Sequence, residues 1–283
     1  VNRPAFDFSA PRGEPALAAP DSVSWRVFKN PVALFVGGIT AVLLELAEPR
    51  VRTGVWEHSS FRTEPLARMQ RTGLAAMVTV YGARSGAEQM IAGITRLHSR
   101  VEGVTPEGLS YRALQPELMD WVQATASFGF LQAYHHFVHP LSAAERDRFY
   151  AESRPAAQLY GAPGAPMSEA QQVELFEATY PALRSHPIVF EFLDILRATR
   201  ALPGPLRLLQ EPCTRAAIEI LPAPVKTLLD LPGNRVLTPA QARWVRRVGR
   251  IGERLPLPGH PGIAASRRMG LPRTFLFRGQ PQT

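Results

Sequence analysis

EPLARMQRTGLAAMVTVYGARSGAEQMIAGITRLHSRVEG, from Glu64 to Gly103, reads as two consecutive helices. Pro65 suits a first helical turn, where its missing N–H is no loss. Tyr81-Gly82 and Glu102-Gly103 read as stops, because glycine tolerates the backbone conformation that ends a helix. Ile91, Ile94, His98 and Val101 share one face on a 3.6-residue repeat, and strand-type alternation is almost absent.

The same signals recur in both directions along the chain. Capping boxes are expected at Ser85–Glu88, Ser142–Glu145 and Ser168–Gln171, and Thr238-Pro239 opens a late helix. The spacing predicts helices near 32–47, 64–81, 86–102, 116–138, 143–159, 169–182, 187–200, 205–230 (broken at Pro212 and Pro222) and 239–252. The fold class is therefore all-α, a single multi-helix domain over residues 25–255. Residues 1–24 read as a flexible, non-regular N-terminal arm. Residues 256–283 read as a Pro/Gly/Arg-rich C-terminal tail packing on the surface.

The apolar run Val32–Ala47 carries Gly37-Gly38 and ends near Glu45. It is short for a spanning helix of about 20 residues, so it reads as a buried core helix. With 283 residues, 45% hydrophobic and 20% charged, the chain has the composition of a globular protein. The single Cys213 excludes an intrachain disulfide and a cysteine zinc site. No secretory signal is read in the first 30 residues, and a cytoplasmic setting fits.

The net charge is +8, and it is almost all arginine, since lysine occurs only at Lys29 and Lys226. Arg243, Arg246, Arg247, Arg250 and Arg254 cluster late. A solvated surface is the plain reading. A peripheral membrane contact is the alternative, and no specific nucleic-acid partner is expected, because no aromatic stacking platform is read among the charges.

Arg68, Arg71 and Thr72 lie within five residues, and His98 follows 26 residues after Thr72. Arg68 and Thr72 stand one turn apart on one face beside the small Ala75, Ala76 and Thr79. A permanently charged guanidinium there suits a carboxylate, and a hydroxyl can donate to a bound oxygen. His98, on an apolar face, is either a core histidine bonded to a carbonyl or a metal or haem-iron ligand. Spacing alone leaves both open. Glu57 in Trp56-Glu57-His58 is a candidate base, with capping or packing as the other reading. His135 and His139 are one turn apart but lack the glutamate of a zinc-protease motif.

These residues sit in an ordered series of motifs. Val55-x-x-His58-Ser59-x-Phe61 is followed by Glu64-Pro65-Leu66-x-Arg68-x-x-Arg71-Thr72, Tyr81-Gly82 and Leu97-His98-x-x-Val101-x-Gly103. Next come Tyr111-x-Ala113-x-x-Pro116, Trp121-Val122-x-Ala124-Thr125, Ala133-Tyr134, Pro140-Leu141-Ser142 and Tyr150-x-Glu152. The series resembles the MpaB-type oxygenases, a family that includes the latex-clearing rubber oxygenases and fungal enzymes that cleave a prenyl side chain. The resemblance spans roughly residues 32–255. It implies a globin-like helical core around haem b, and dioxygen-dependent oxidation or C=C cleavage of a hydrophobic, isoprenoid- or lipid-like small molecule.

By the same resemblance His98 is the iron ligand, Arg68 and Thr72 match the Arg and Thr of the haem-pocket helix, and Arg71 takes the place of a basic residue there. Glu57 corresponds to an acidic residue proposed as a base. The chain departs from the pattern at Gln123, where many members carry His, and at Glu48-Pro49, where many carry His-Pro. Glutamine is a poor iron ligand, so a catalytically silent hydrophobic-ligand-binding protein of the same fold is the rival expectation.

Overall fold

The computed structural model describes residues 6–202, 204–231 and 236–277. Thirteen α-helices make up the described part. They are α1 (Val23–Phe28), α2 (Pro31–Ala47), α3 (Pro49–His58), α4 (Pro65–Tyr81), α5 (Arg84–His98), α6 (Pro116–Phe137) and α7 (Ala143–Tyr160), followed by α8 (Glu169–Thr179), α9 (Pro187–Ala198), α10 (Gln210–Glu219), α11 (Ala223–Leu229), α12 (Pro239–Gly252) and α13 (Pro261–Arg268). A two-stranded hairpin, β1 (Glu102–Val104) with β2 (Ser110–Arg112), separates α5 from α6. The chain is all-α, as the sequence predicts.

α2 is the axis of the fold. It is apolar nearly all round, so it can be stable only when covered on most sides. α6 makes the most extensive contact with it, and α10, α12, α3, α1, α9 and α11 complete the cover. Asn30 starts the helix by accepting from the Val32 and Ala33 N–H groups, and it donates to the Gly249 carbonyl at 2.9 Å. Where α2 meets α6 there is no room for a side chain. A Cβ on Gly37 would lie 2.7 Å from the Phe130 Cα, and one on Gly129 would strike the Gly37 carbonyl. Among the described residues no single helix is long and apolar enough to cross a membrane.

Several expectations are corrected locally. Residues 49–58 form a helix that the mixed polar sequence conceals. Buried Glu48 caps it through the Val51 N–H at 2.8 Å, which gives this departure from the family pattern a structural role. The second helix of the opening stretch ends at His98 rather than 102, because Gly103 pairs with Tyr111 in the hairpin and a Cβ there would meet the Tyr111 ring. Ser85 is no cap; α5 starts from Ala83, and the Ser85 hydroxyl binds the Glu14 carboxylate at 2.9 Å. Pro212 lies in the first turn of α10 and does not break it, whereas Pro222 does precede α11.

Both ends of the described chain are tied to the core. Residues 6–22 contain no helix, yet Ala16 is buried, and Arg268 donates to the carbonyls of Glu14 and Phe8 at 2.8 Å each. The tail contains α13, an element the composition hides, which His260 caps through the Gly262 N–H. Buried Lys29 links the two ends by donating to the Leu276 carbonyl at 2.7 Å and pairing with Glu253 at 2.8 Å.

Candidate active site

α4 and α5 are joined by the short turn at Gly82 and Ala83 and pack on one another. Residues 65–77 of α4 and the last two turns of α5 contain no buried residue, although Met69, Met77 and Ile94 lie there. No Cβ neighbour would lie within 4 Å at Gly73. The sequence therefore places partly exposed apolar side chains on this helix pair, with Met69 and Met77 packed against the core on their inner side.

Arg68 and His98 lie on this helix pair, and the imidazole senses the guanidinium charge. Burial lowers the His98 pKa first, and the nearby Arg68 guanidinium lowers it further. His98 is thus held as the neutral imidazole, the form that ligates iron. The His98 Nδ1 is buried with no hydrogen-bond partner, and the described residues supply no side-chain bond to the other ring nitrogen. Of the two readings left open by spacing, a core histidine satisfied by a carbonyl is not what is found.

Arg68 donates through Nη1 to the Thr72 hydroxyl, which donates its own proton to the Arg68 carbonyl oxygen at 3.0 Å. Arg71 lies toward the rim. It donates to the Ser60 hydroxyl at 2.6 Å and approaches Glu64 at 3.9 Å. Neither arginine is locked in a short ion pair among the described residues.

A residue without an assigned role in the sequence reading completes the site. Glu45, near the end of α2, faces Arg68 from across the helix stack. Burial raises its pKa to about 7, with Arg68 first and the Thr125 hydroxyl of α6 second offsetting part of that rise. Arg68 responds in turn: burial lowers its pKa, and Glu45 counteracts this. An acidic residue inside an otherwise apolar helix was the available signal, because a buried charge must be paired or neutralised.

Glu57 is placed elsewhere. It is exposed on α3, and its carboxylate lies near the Tyr111 hydroxyl, whose pKa is raised by burial first and by Glu57 second. His58 stacks edge-on to the same ring at 6.5 Å. His135 accepts from the Leu141 N–H at 2.9 Å and so closes the end of α6. Gln123 is half-buried on α6. Among the described residues no three His, Cys, Asp or Glu side chains gather as a metal cluster, a condition that haem, needing one protein ligand, does not impose.

The catalytic-domain family of ER-bound oxygenase mpaB/B' and rubber oxygenase matches residues 25–253. The chain belongs to this family. The match runs from within α1 to the end of α12 and includes all of α4 and α5. Uncharacterized proteins of Mycobacterium bovis and Mycobacterium tuberculosis are each 25% identical to the chain over 224 residues, covering 76% of this chain and 86% of theirs. No solved structure matches the chain.

Proposed function

We propose that this member of the oxygenase family is a haem-b-dependent oxygenase acting with dioxygen on a hydrophobic, isoprenoid- or lipid-like substrate. The observation that carries the reading is the neutral imidazole of His98, its buried Nδ1 unpartnered, near Arg68 on the partly exposed α4–α5 pair. A buried histidine nitrogen without a partner is unfavourable unless a ligand satisfies it. His98 would hold the iron, and the guanidiniums of Arg68 and Arg71 would meet the anionic propionates. Bound haem b would supply the iron centre at which dioxygen is activated.

The protein's own residues supply the proton chemistry. Glu45, with its pKa raised to about 7, can hold or release a proton near neutral pH. Arg68 stabilises its ionised form and links it electrostatically to His98. Thr72 orients the Arg68 guanidinium, since its hydroxyl accepts from that group. We place the proton site at Glu45 rather than Glu57, because exposed Glu57 faces Tyr111 and not α4 or α5. The apolar side chains of the uncovered turns, Met69 and Met77 among them, would contact the substrate.

Purification with haem supplied, followed by an absorption spectrum, tests the proposal. A Soret band that the His98→Ala variant lacks is expected. No Soret band together with no iron by elemental analysis would overturn it. Gln123 in place of a common histidine favours a second reading, a silent binder of a lipid or isoprenoid, for which native mass spectrometry would find lipid without haem.

A further inference from the structure

α12 is held rigidly against the core. Its start is fixed by a full capping box, with Thr238 and Gln241 satisfying each other's backbone N–H groups and Pro239 in the first turn. Val245, Gly249 and Gly252 face inward, and Gly249 allows the Phe137 carbonyl to approach where a Cβ would collide with it. The outward face is therefore a fixed surface.

That face contains Arg243, Arg246, Arg247 and Arg250, with Arg254 just beyond the helix, all exposed. At 100° per residue the four helical arginines fall within about one third of the circumference. None of the five forms an ion pair among the described residues. Arg246 only stacks over the Phe137 ring at 5.9 Å and donates to the His136 carbonyl. The acid nearest in sequence, Glu253, is engaged by Lys29 and Tyr134. The five arginines and Ile251 lie side by side on one open stretch of surface that belongs to α12 and its C-terminal end.

An apolar edge runs beside the charges. Trp244 and Ile251 are seven residues apart, so they align on one side of the helix. They are 40% and 48% exposed, and Leu255 and Leu257 continue the exposed apolar surface past the end of α12. The aromatic residue not read among the charges in the sequence is Trp244, and it stands beside Arg243.

We propose that this face of α12 docks on an anionic phospholipid bilayer. Uncompensated arginines complement lipid phosphates, each contributing independently near a charged surface. Tryptophan and aliphatic side chains on the flank enter the headgroup boundary, where an amphipathic ring is favoured. A polyanion such as duplex nucleic acid would use the arginines but leave Ile251, Leu255 and Leu257 in water, so it fits the face less well.

Co-sedimentation of the full chain with vesicles tests the proposal. Binding to mixed phosphatidylglycerol–phosphatidylcholine vesicles, lost on pure phosphatidylcholine and weakened by salt, is expected. Combining Arg243→Gln, Arg247→Gln and Arg250→Gln should lower partitioning on the order of 100-fold, with thermal unfolding unchanged to show that the variant is folded. The blue shift of tryptophan emission on vesicle addition should shrink in Trp244→Phe. Equal binding to both vesicle types, a triple variant that binds like the parent, or tighter binding to a DNA duplex than to anionic vesicles at the same salt would each overturn it.

Discussion

Glu45 on α2 and Arg68 on α4 oppose each other across the helix stack, and each favours the charged form of the other against the effect of burial. No direct ion pair joins them among the described residues, so the coupling acts through space. It makes Glu45 the ionisable group whose state near pH 7 is most open to control.

The pH dependence of stability follows from this pair. The folded pKa of Glu45, about 7, lies above the ordinary value of 4.5, so folding favours the proton. Its contribution is fully present below about pH 4.5 and is lost as pH rises through about 7. Glu45→Gln removes that loss. Denaturant unfolding should show the variant gaining on the parent between pH 4 and pH 8, by up to roughly 3 kcal/mol. Parallel stability curves would contradict this.

Arg68→Met should move two titrations in the same direction. The Glu45 pKa should rise further, because the larger of its two offsetting influences is gone, and the His98 pKa should rise toward its ordinary value, because its cationic neighbour is gone. Carboxyl and imidazole NMR shifts across a pH series would report both. Unmoved titrations would separate Arg68 from the site.

His98→Ala removes a side chain whose ring nitrogens form no hydrogen bonds within the described protein, so folding stability should change by no more than about 1 kcal/mol. Haem uptake, followed by the Soret band, should be abolished in the same sample. A large loss of stability would assign His98 a structural role instead.

Two neighbouring glycines should behave oppositely. Gly37→Ala forces a methyl against the α6 backbone and should destabilise by about 1–3 kcal/mol or more. Gly38→Ala meets nothing within 4 Å in mid-helix and should stabilise by roughly 0.5–1 kcal/mol. Thermal unfolding of the two variants would compare them directly.

The helical class was legible because capping residues and glycine stops repeat along the chain; the box at Ser142 forms as read, and Thr238-Pro239 opens its helix as read. α3 and α13 were hidden because each begins at a proline after a non-classical cap, Glu48 or His260, in a polar stretch. The hairpin was hidden because its strands of three residues are too short to show alternation. In the site, Arg68, Thr72 and His98 were visible through spacing within one helix pair. Glu45 and Thr125 come from α2 and α6, and sequence periodicity does not register a meeting between distant helices.

The contact of Gly37 with Gly129 has a mechanical consequence. With backbone seated on backbone, α2 and α6 cannot slide or approach, so the wall that presents Glu45 and Thr125 behaves as an anvil. Any relative motion of the helices must then come from others, such as α4 and α5, whose outer turns are partly exposed. Glu45 and Thr125 meanwhile keep a fixed register on the seated pair.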